Sequence, residues 1–252
     1  MPESEPRAAA IPGAPLPLTQ FIGRTTERVS VLSLLEQHRL VTLTGPGGCG
    51  KSRLALAVAQ HIGGRRHWVA LSNLDSAELV APTVARSLGL LDANSAVSTD
   101  AIASALADQP VLLILDTCEH VRHTAADLAE SLLVRCPDLT ILTTSRTPLR
   151  VPGEMLWPVP PLATQAGAHP TATQHVDAVE LFLERAHAVR PDFMVDDDGV
   201  AEVLAICRRL DGNPLAIELC AARAQVLSVE QIVEALDDSL RLLVQRSSSA
   251  PE

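Results

Sequence analysis

Gly45-Pro46-Gly47-Gly48-Cys49-Gly50-Lys51-Ser52 decides the fold. It follows the short apolar run Leu40-Val41-Thr42-Leu43-Thr44 and precedes Ser52 to Ile62, whose apolar residues recur at helical spacing. Strand, glycine-rich turn and helix form the context in which G-x-x-x-x-G-K-[ST] holds a phosphate. The glycines let backbone N–H groups turn inward around the phosphates, and the helix start adds its positive dipole end. Lys51 would reach the β- and γ-phosphates, and the Ser52 hydroxyl would bind Mg²⁺. Lys51 is also the sole lysine, since nineteen of the 20 basic residues are Arg. A chain that uses Arg for its other basic positions keeps Lys where the chemistry requires a compact ammonium.

Further along, Trp68–Leu71, Val111–Leu115 and Leu139–Thr144 read as strands, with Met155–Val159 as a shorter fifth. Helical patterns fall between them, near 76–88, 99–107 and 121–135. This alternation predicts an α/β fold with a five-stranded parallel sheet sandwiched by helices. After the proline cluster 158–161 the strand pattern stops, and 176–189, 198–210, 214–226 and 229–244 are amphipathic at helical spacing. The expected organisation is a disordered proline-rich leader (1–18), a nucleotide-binding domain (19–160) and a linker (161–175). A small all-α domain (176–246) and a tail (247–252) follow.

The chain has 252 residues, 47% hydrophobic, with a formal net charge of −10. That charge argues against direct nucleic-acid binding by this segment, which needs a basic face. No apolar run reaches membrane-span length and no signal peptide opens the chain, so a cytoplasmic setting is expected. The five cysteines are odd in number and scattered, which fits reduced thiols better than a disulfide framework.

Asp116 closes the run VLLIL, where a buried strand delivers a Mg²⁺-coordinating carboxylate to the ligand edge of a parallel sheet. Many hydrolysing ATPases place a second acid immediately after it, but here that residue is Thr117. The next carboxylate, Glu119, would orient a water or else cap a helix. Thr143-Thr144-Ser145-Arg146 ends the next strand. If that strand lies between those of the phosphate loop and Asp116, Arg146 would sense the γ-phosphate. On spacing alone it is equally an ordinary surface arginine. Cys118, His120 and His123 do not match a usual zinc spacing. Asp196-Asp197-Asp198 reads as the acidic start of a helix.

Together these segments resemble the NB-ARC type of STAND signal-transduction ATPases, in particular those inside bacterial SARP-class and large LuxR-type transcriptional regulators. The carrying residues are Phe21-Ile22-Gly23-Arg24, the run 45–59, LDTCEH (115–120), TTSR (143–146), WPVPPL (157–162) and LDGNPLAIELCAAR (210–223). The resemblance implies ATP or ADP with Mg²⁺, buried between the nucleotide-binding and helical domains. The P-loop, including Arg53, would hold the phosphates, Arg146 the γ-phosphate and Pro214 the adenine. Residues Phe21, Ile22, Gly23 and Arg24 would line the base and ribose. It further implies a slow ATPase serving as a switch, with winged-helix, sensor and DNA-binding domains outside this segment and a nucleotide-dependent homo-oligomer. Two residues depart from the family pattern: Thr25 stands where a Glu is usual, and Asn213 replaces the Leu of G-L-P. Rival readings are a fast-turnover AAA+-like ATPase, which Thr117 disfavours, a small-molecule kinase without its Arg-rich lid, and a non-binding scaffold.

Overall fold

The computed structural model describes residues 10–90, 98–165 and 176–236. The chain divides into two compact units, Met1–Pro160 and Pro161–Glu252.

The first unit is built on β1 (Leu40–Thr44), β2 (Arg65–Ala70), β3 (Val111–Asp116), β4 (Leu139–Ser145) and β5 (Met155–Pro158). All pair in parallel, in the order β2-β3-β4-β1-β5. β3 is buried at every position, as its unbroken apolar run requires when both faces are covered. One face packs under α3 (Val80–Ser87), α4 (Thr99–Leu106) and α5 (Arg122–Arg135), around Leu113, Leu115, Ile141 and Leu132. The other packs under α1 (Thr25–Gln37) and α2 (Lys51–His61), around Val41, Leu43, Ile114, Leu142 and Leu54. Alternate residues of β3 and β4 face opposite ways and so seed two separate apolar layers.

Two boundaries differ from expectation. β2 begins at Arg65, three residues earlier than its apolar pattern suggests, because Arg65 and Arg66 already pair in register with Val111 and Leu112. Within the proline-rich leader, Ile11 is buried in the α2-side layer, and the Trp68 N–H donates to the Pro12 carbonyl at 2.9 Å. Proline lacks a donor but keeps its acceptor, so this stretch can cover the open edge of β2. Residues 1–9 lie outside the described residues.

The second unit contains α6 (Asp177–Val189), α7 (Asp197–Arg209) and α8 (Pro214–Ala221), and residues 229–236 are helical again. Its core holds Phe182, Val203, Ile206, Cys207 and Ile217, with the Phe182 and Phe193 rings 6.5 Å apart. Asp196 caps α7 through Gly199 N–H, and Asn213 caps α8 through Ala216 N–H, with Pro214 at the first helical position where its missing donor costs nothing. Gly212 has φ +63°, and a Cβ there would lie 2.3 Å from the Leu162 carbonyl oxygen, so only glycine fits. Leu162 is itself buried and its N–H donates to Gly212 O, so the first residues of the expected linker pack on the helical unit. Residues 166–175 and 237–252 lie outside the described residues, and with them most of the linker, the end of the last helical pattern and the tail. Among the described residues no helix is long and apolar enough to cross a membrane.

Candidate functional site

The C-terminal ends of β1, β3 and β4 converge, and each carries one part of the predicted site. β1 leads into the glycine-rich loop, and α2 starts at Lys51. Gly50 precedes that helix at φ +90°, and a Cβ on it would stand 3.3 Å from Arg24 Nη1, so the residue must be free of a side chain for two independent reasons. Lys51 Nζ donates to the carbonyls of Gly45 and Pro46, each at 2.9 Å, closing the loop on itself. Gly47 and Pro46 are exposed at the crest, Gly45 and Gly48 are half-buried, and Cys49 is buried beneath. Ser52 is half-buried in the first turn of α2, whose leading N–H groups have no acceptor within the helix.

β4 lies between β1 and β3, which is the condition for Arg146 to face the loop. Its guanidinium meets both neighbours. Arg146 Nε sits 3.1 Å from Glu119 Oε1, and a Cβ built on Gly47 would be 3.7 Å from Arg146 Nη2. The other Glu119 oxygen, Oε2, is buried with no hydrogen-bond partner among the described residues. Arg146 therefore lies over both the loop crest and the acid after β3.

Asp116 is buried at the end of β3. Thr144 of β4 donates its hydroxyl to Asp116 Oδ1 at 2.6 Å and accepts the Thr117 N–H at 2.8 Å. Thr117 has φ +67°, a left-handed conformation that costs a non-glycine residue about 1–2 kcal/mol. The carboxylates also act on Cys118, whose thiol is pushed far up, first by burial and then by the charges of Asp116 and Glu119.

Of the remaining predicted residues, Arg24 supports the loop from behind. Phe21 is half-buried against the α2-side core, Ile22 is buried, and Gly23 has φ +65°. Arg24 is buried, and its Nη2 donates to Cys49 O at 2.6 Å and to Pro160 O at 3.0 Å. Arg53 reaches Thr19 and Gln20, with bonds of 2.7–2.9 Å to the Thr19 hydroxyl and to both carbonyls. Pro214 belongs to the second unit and is described above.

The NB-ARC domain family matches residues 24–146, the span that holds the loop, Asp116, Glu119 and Arg146. The chain carries an NB-ARC domain. An uncharacterized Mycobacterium tuberculosis protein is 42% identical over 237 residues, 92% of this chain and 58% of the relative. A second protein of that organism, provisionally named an HTH-type transcriptional regulator, is 41% identical over 213 residues, 84% of this chain and 23% of its own length. The chain therefore spans little more than half of one relative and less than a quarter of the other. Among solved structures, the STAND protein with a tetratricopeptide repeat sensor from Pyrococcus horikoshii superposes with a TM-score of 0.57 at 16% identity. That match covers 90% of this chain and 33% of the other. The fold is that of P-loop NTPases, and the NB-ARC domain implies nucleotide binding.

The residues present fit a nucleotide polyphosphate with Mg²⁺. The loop's glycines leave the space that Cβ atoms would fill, Ser52 and Asp116 are hard oxygen donors, and Glu119 Oε2 is an unused acceptor at the same edge. From the sequence, Thr144 is only part of a polar strand tip. Its bridging role was announced by a polar residue at a position where a strand buried on both faces usually carries Val or Ile.

Proposed function

We propose that the NB-ARC domain is an ATP/ADP-binding regulatory switch with slow Mg²⁺-dependent ATP hydrolysis, set within a larger transcriptional regulator. The observation that carries this reading is Arg146, poised between Glu119 and the loop crest at Gly47. ATP and ADP differ by the γ-phosphate, so only contacts to that group can separate two conformations by their ligand. Arg146 and Lys51 offer charge-assisted hydrogen bonds to it, each contributing about 1.5–3 kcal/mol. Two such contacts approach the roughly 5.5 kcal/mol that inverts a 1:99 equilibrium.

Slow turnover follows from what surrounds Asp116. The adjacent position is Thr117, which supplies no base, and its N–H is bonded to Thr144. Glu119, the next acid, has one oxygen held by Arg146, leaving Oε2 to orient a water. Ser52 and Asp116 would hold Mg²⁺, which when bound offsets phosphate charge. The resemblance adds Pro214 to the residues that hold the base. The name of the HTH-type relative and the greater length of both relatives support a DNA-binding unit elsewhere in the parent protein, and the family resemblance adds winged-helix and sensor units and nucleotide-dependent assembly of identical copies.

The test is the nucleotide content of the purified chain, read by denaturing it and chromatographing the supernatant, beside Lys51→Ala. Near-stoichiometric ADP in the wild type and none in the variant is the expected result. An empty protein is then melted with Mg²⁺ and ATP or ADP at about 100 times Kd, where bound ligand adds about 2.7 kcal/mol. No nucleotide and no melting shift would overturn the switch and favour a non-binding scaffold.

A further inference from the structure

The connection from β4 to β5, residues 146–154, contains no helix. It returns from the end of β4 to the start of β5 past β1, which lies between them. On the face lined by Leu40 and Ile141 the next positions up are Thr42 and Thr143, register partners that are fully buried. Strand pairing does not need their hydroxyls, and valine would occupy the same volume. Thr42 Oγ1 donates to Glu154 Oε1 at 2.6 Å. With that proton committed, the 2.7 Å contact between the threonine hydroxyls is a bond that Thr143 donates. The same carboxylate accepts the N–H of Leu149 at 2.8 Å and of Arg150 at 2.7 Å. Leu149 and Val151 bury their side chains in the α5-side core, so the connection is fixed by apolar anchors and by one acceptor group.

Glu154 therefore joins three pieces of the site: β1, which leads into the P-loop, β4, which ends just before Arg146, and the connection that Arg146 begins. The Arg146 side chain is 65% exposed, so its aim comes from its backbone and its Glu119 partner rather than from packing. We propose that Glu154 is the positioning residue of Arg146 and thereby sets the preference for ATP over ADP, an inference that rests on Arg146 contacting the γ-phosphate. A carboxylate is required because all its partners are donors. Glutamine would set an NH₂ group against one of the two backbone N–H groups.

The test measures Kd for fluorescent ADP and for a fluorescent non-hydrolysable ATP analogue, both with Mg²⁺, on the full chain. The proteins are wild type, Glu154→Gln, Thr42→Val, Arg146→Ala and the Glu154→Gln/Arg146→Ala double variant. Glu154→Gln is expected to weaken the ATP analogue about tenfold more than ADP, and Thr42→Val about threefold more, the scale of one hydrogen bond lost. In the Arg146→Ala background the glutamine changes that ratio less than about twofold, since its route of action is gone. Equal weakening of both nucleotides, or an undiminished effect on the ratio without Arg146, would overturn the positioning role while leaving the switch intact. If Arg146→Ala keeps the wild-type ratio, the γ-phosphate reading falls and this proposal with it. Should the glutamine variant fail to fold, Thr42→Val with and without Arg146→Ala makes the same comparison in a shape-preserving variant.

Discussion

Thr144→Val isolates the bridge between β3 and β4 at the site. Valine keeps the shape of threonine and removes one hydroxyl, and two hydrogen bonds go with it. The bond to the buried Asp116 carboxylate contributes about 1.5–3 kcal/mol, as hydrogen bonds to charged groups do. Loss of the acceptor leaves the Thr117 N–H unsatisfied at a further cost of about 1–3 kcal/mol. The added methyl returns about 0.8 kcal/mol. The net destabilisation is about 3 kcal/mol, which lowers Tm by about 6–12 °C in a domain of this size. Thr144→Ser keeps the hydroxyl and loses one methyl, for about 1 kcal/mol. Intrinsic fluorescence is the assay, because the two tryptophans, Trp68 and Trp157, both lie in the first unit and report on it alone. If Thr144→Val unfolds within 1 °C of wild type, or Thr144→Ser is equally damaging, the hydroxyl is not what joins the strands and the reasoning is refuted.

Other outcomes are equally open to measurement. Gly50→Ala puts a Cβ at φ +90° and 3.3 Å from Arg24 Nη1, so nucleotide binding should drop by at least tenfold and Tm should fall, with strain of about 1–2 kcal/mol; titration with fluorescent ADP checks the first and melting the second. Arg39 donates to the carbonyls of Leu133, Cys136 and Leu139, closing the C-terminal end of α5, and Arg39→Ala should destabilise the first unit by about 2 kcal/mol in urea unfolding. Burial pushes the Cys207 thiol from 9.0 up to about 12, with its neighbour Cys220 adding to the shift, and Cys220 itself up to about 11. Above pH 9 the unfolded chain loses these protons while the folded chain keeps them, so stability falls from pH 9 towards 11–12, by as much as about 1.4 kcal/mol per pH unit for each thiol. Cys207→Ala should flatten that alkaline decline, followed by circular dichroism in denaturant at pH 8, 9, 10 and 11.

Local features of the chain carried most of the fold. The phosphate loop is contiguous, and the buried strands announce themselves as apolar runs bounded by Pro110 or a turn, so loop, Asp116 and sheet were all legible. Strand order was not: the place of β4 between β1 and β3 follows from pairing, which no spacing along the chain encodes, and it is this order that brings Arg146 to Gly47. α1 was missed because TTERVSVLSLLEQ mixes serines with its apolar residues and buries only Val31 fully. The partners of Glu154 were invisible for a related reason. Thr42 and Thr143 look like ordinary β-branched strand residues, and their hydroxyls gain meaning only when the register sets them side by side beneath a carboxylate 112 and 11 positions further on. Ile11 and Pro12 were hidden by composition, since a proline-rich stretch predicts poor donors but says nothing of its carbonyls.

Lys51, whose Nζ rests on the carbonyls of Gly45 and Pro46, is also the chain's lone ε-amine. Selective ¹⁵N-lysine labelling would therefore yield a spectrum with one backbone amide signal, from the first residue of α2. An amine acylating reagent would have a single side-chain target, shielded to whatever extent the loop and a phosphate hold it. A composition that spares every other position gives the nucleotide site a built-in spectroscopic and chemical tag, without any mutation.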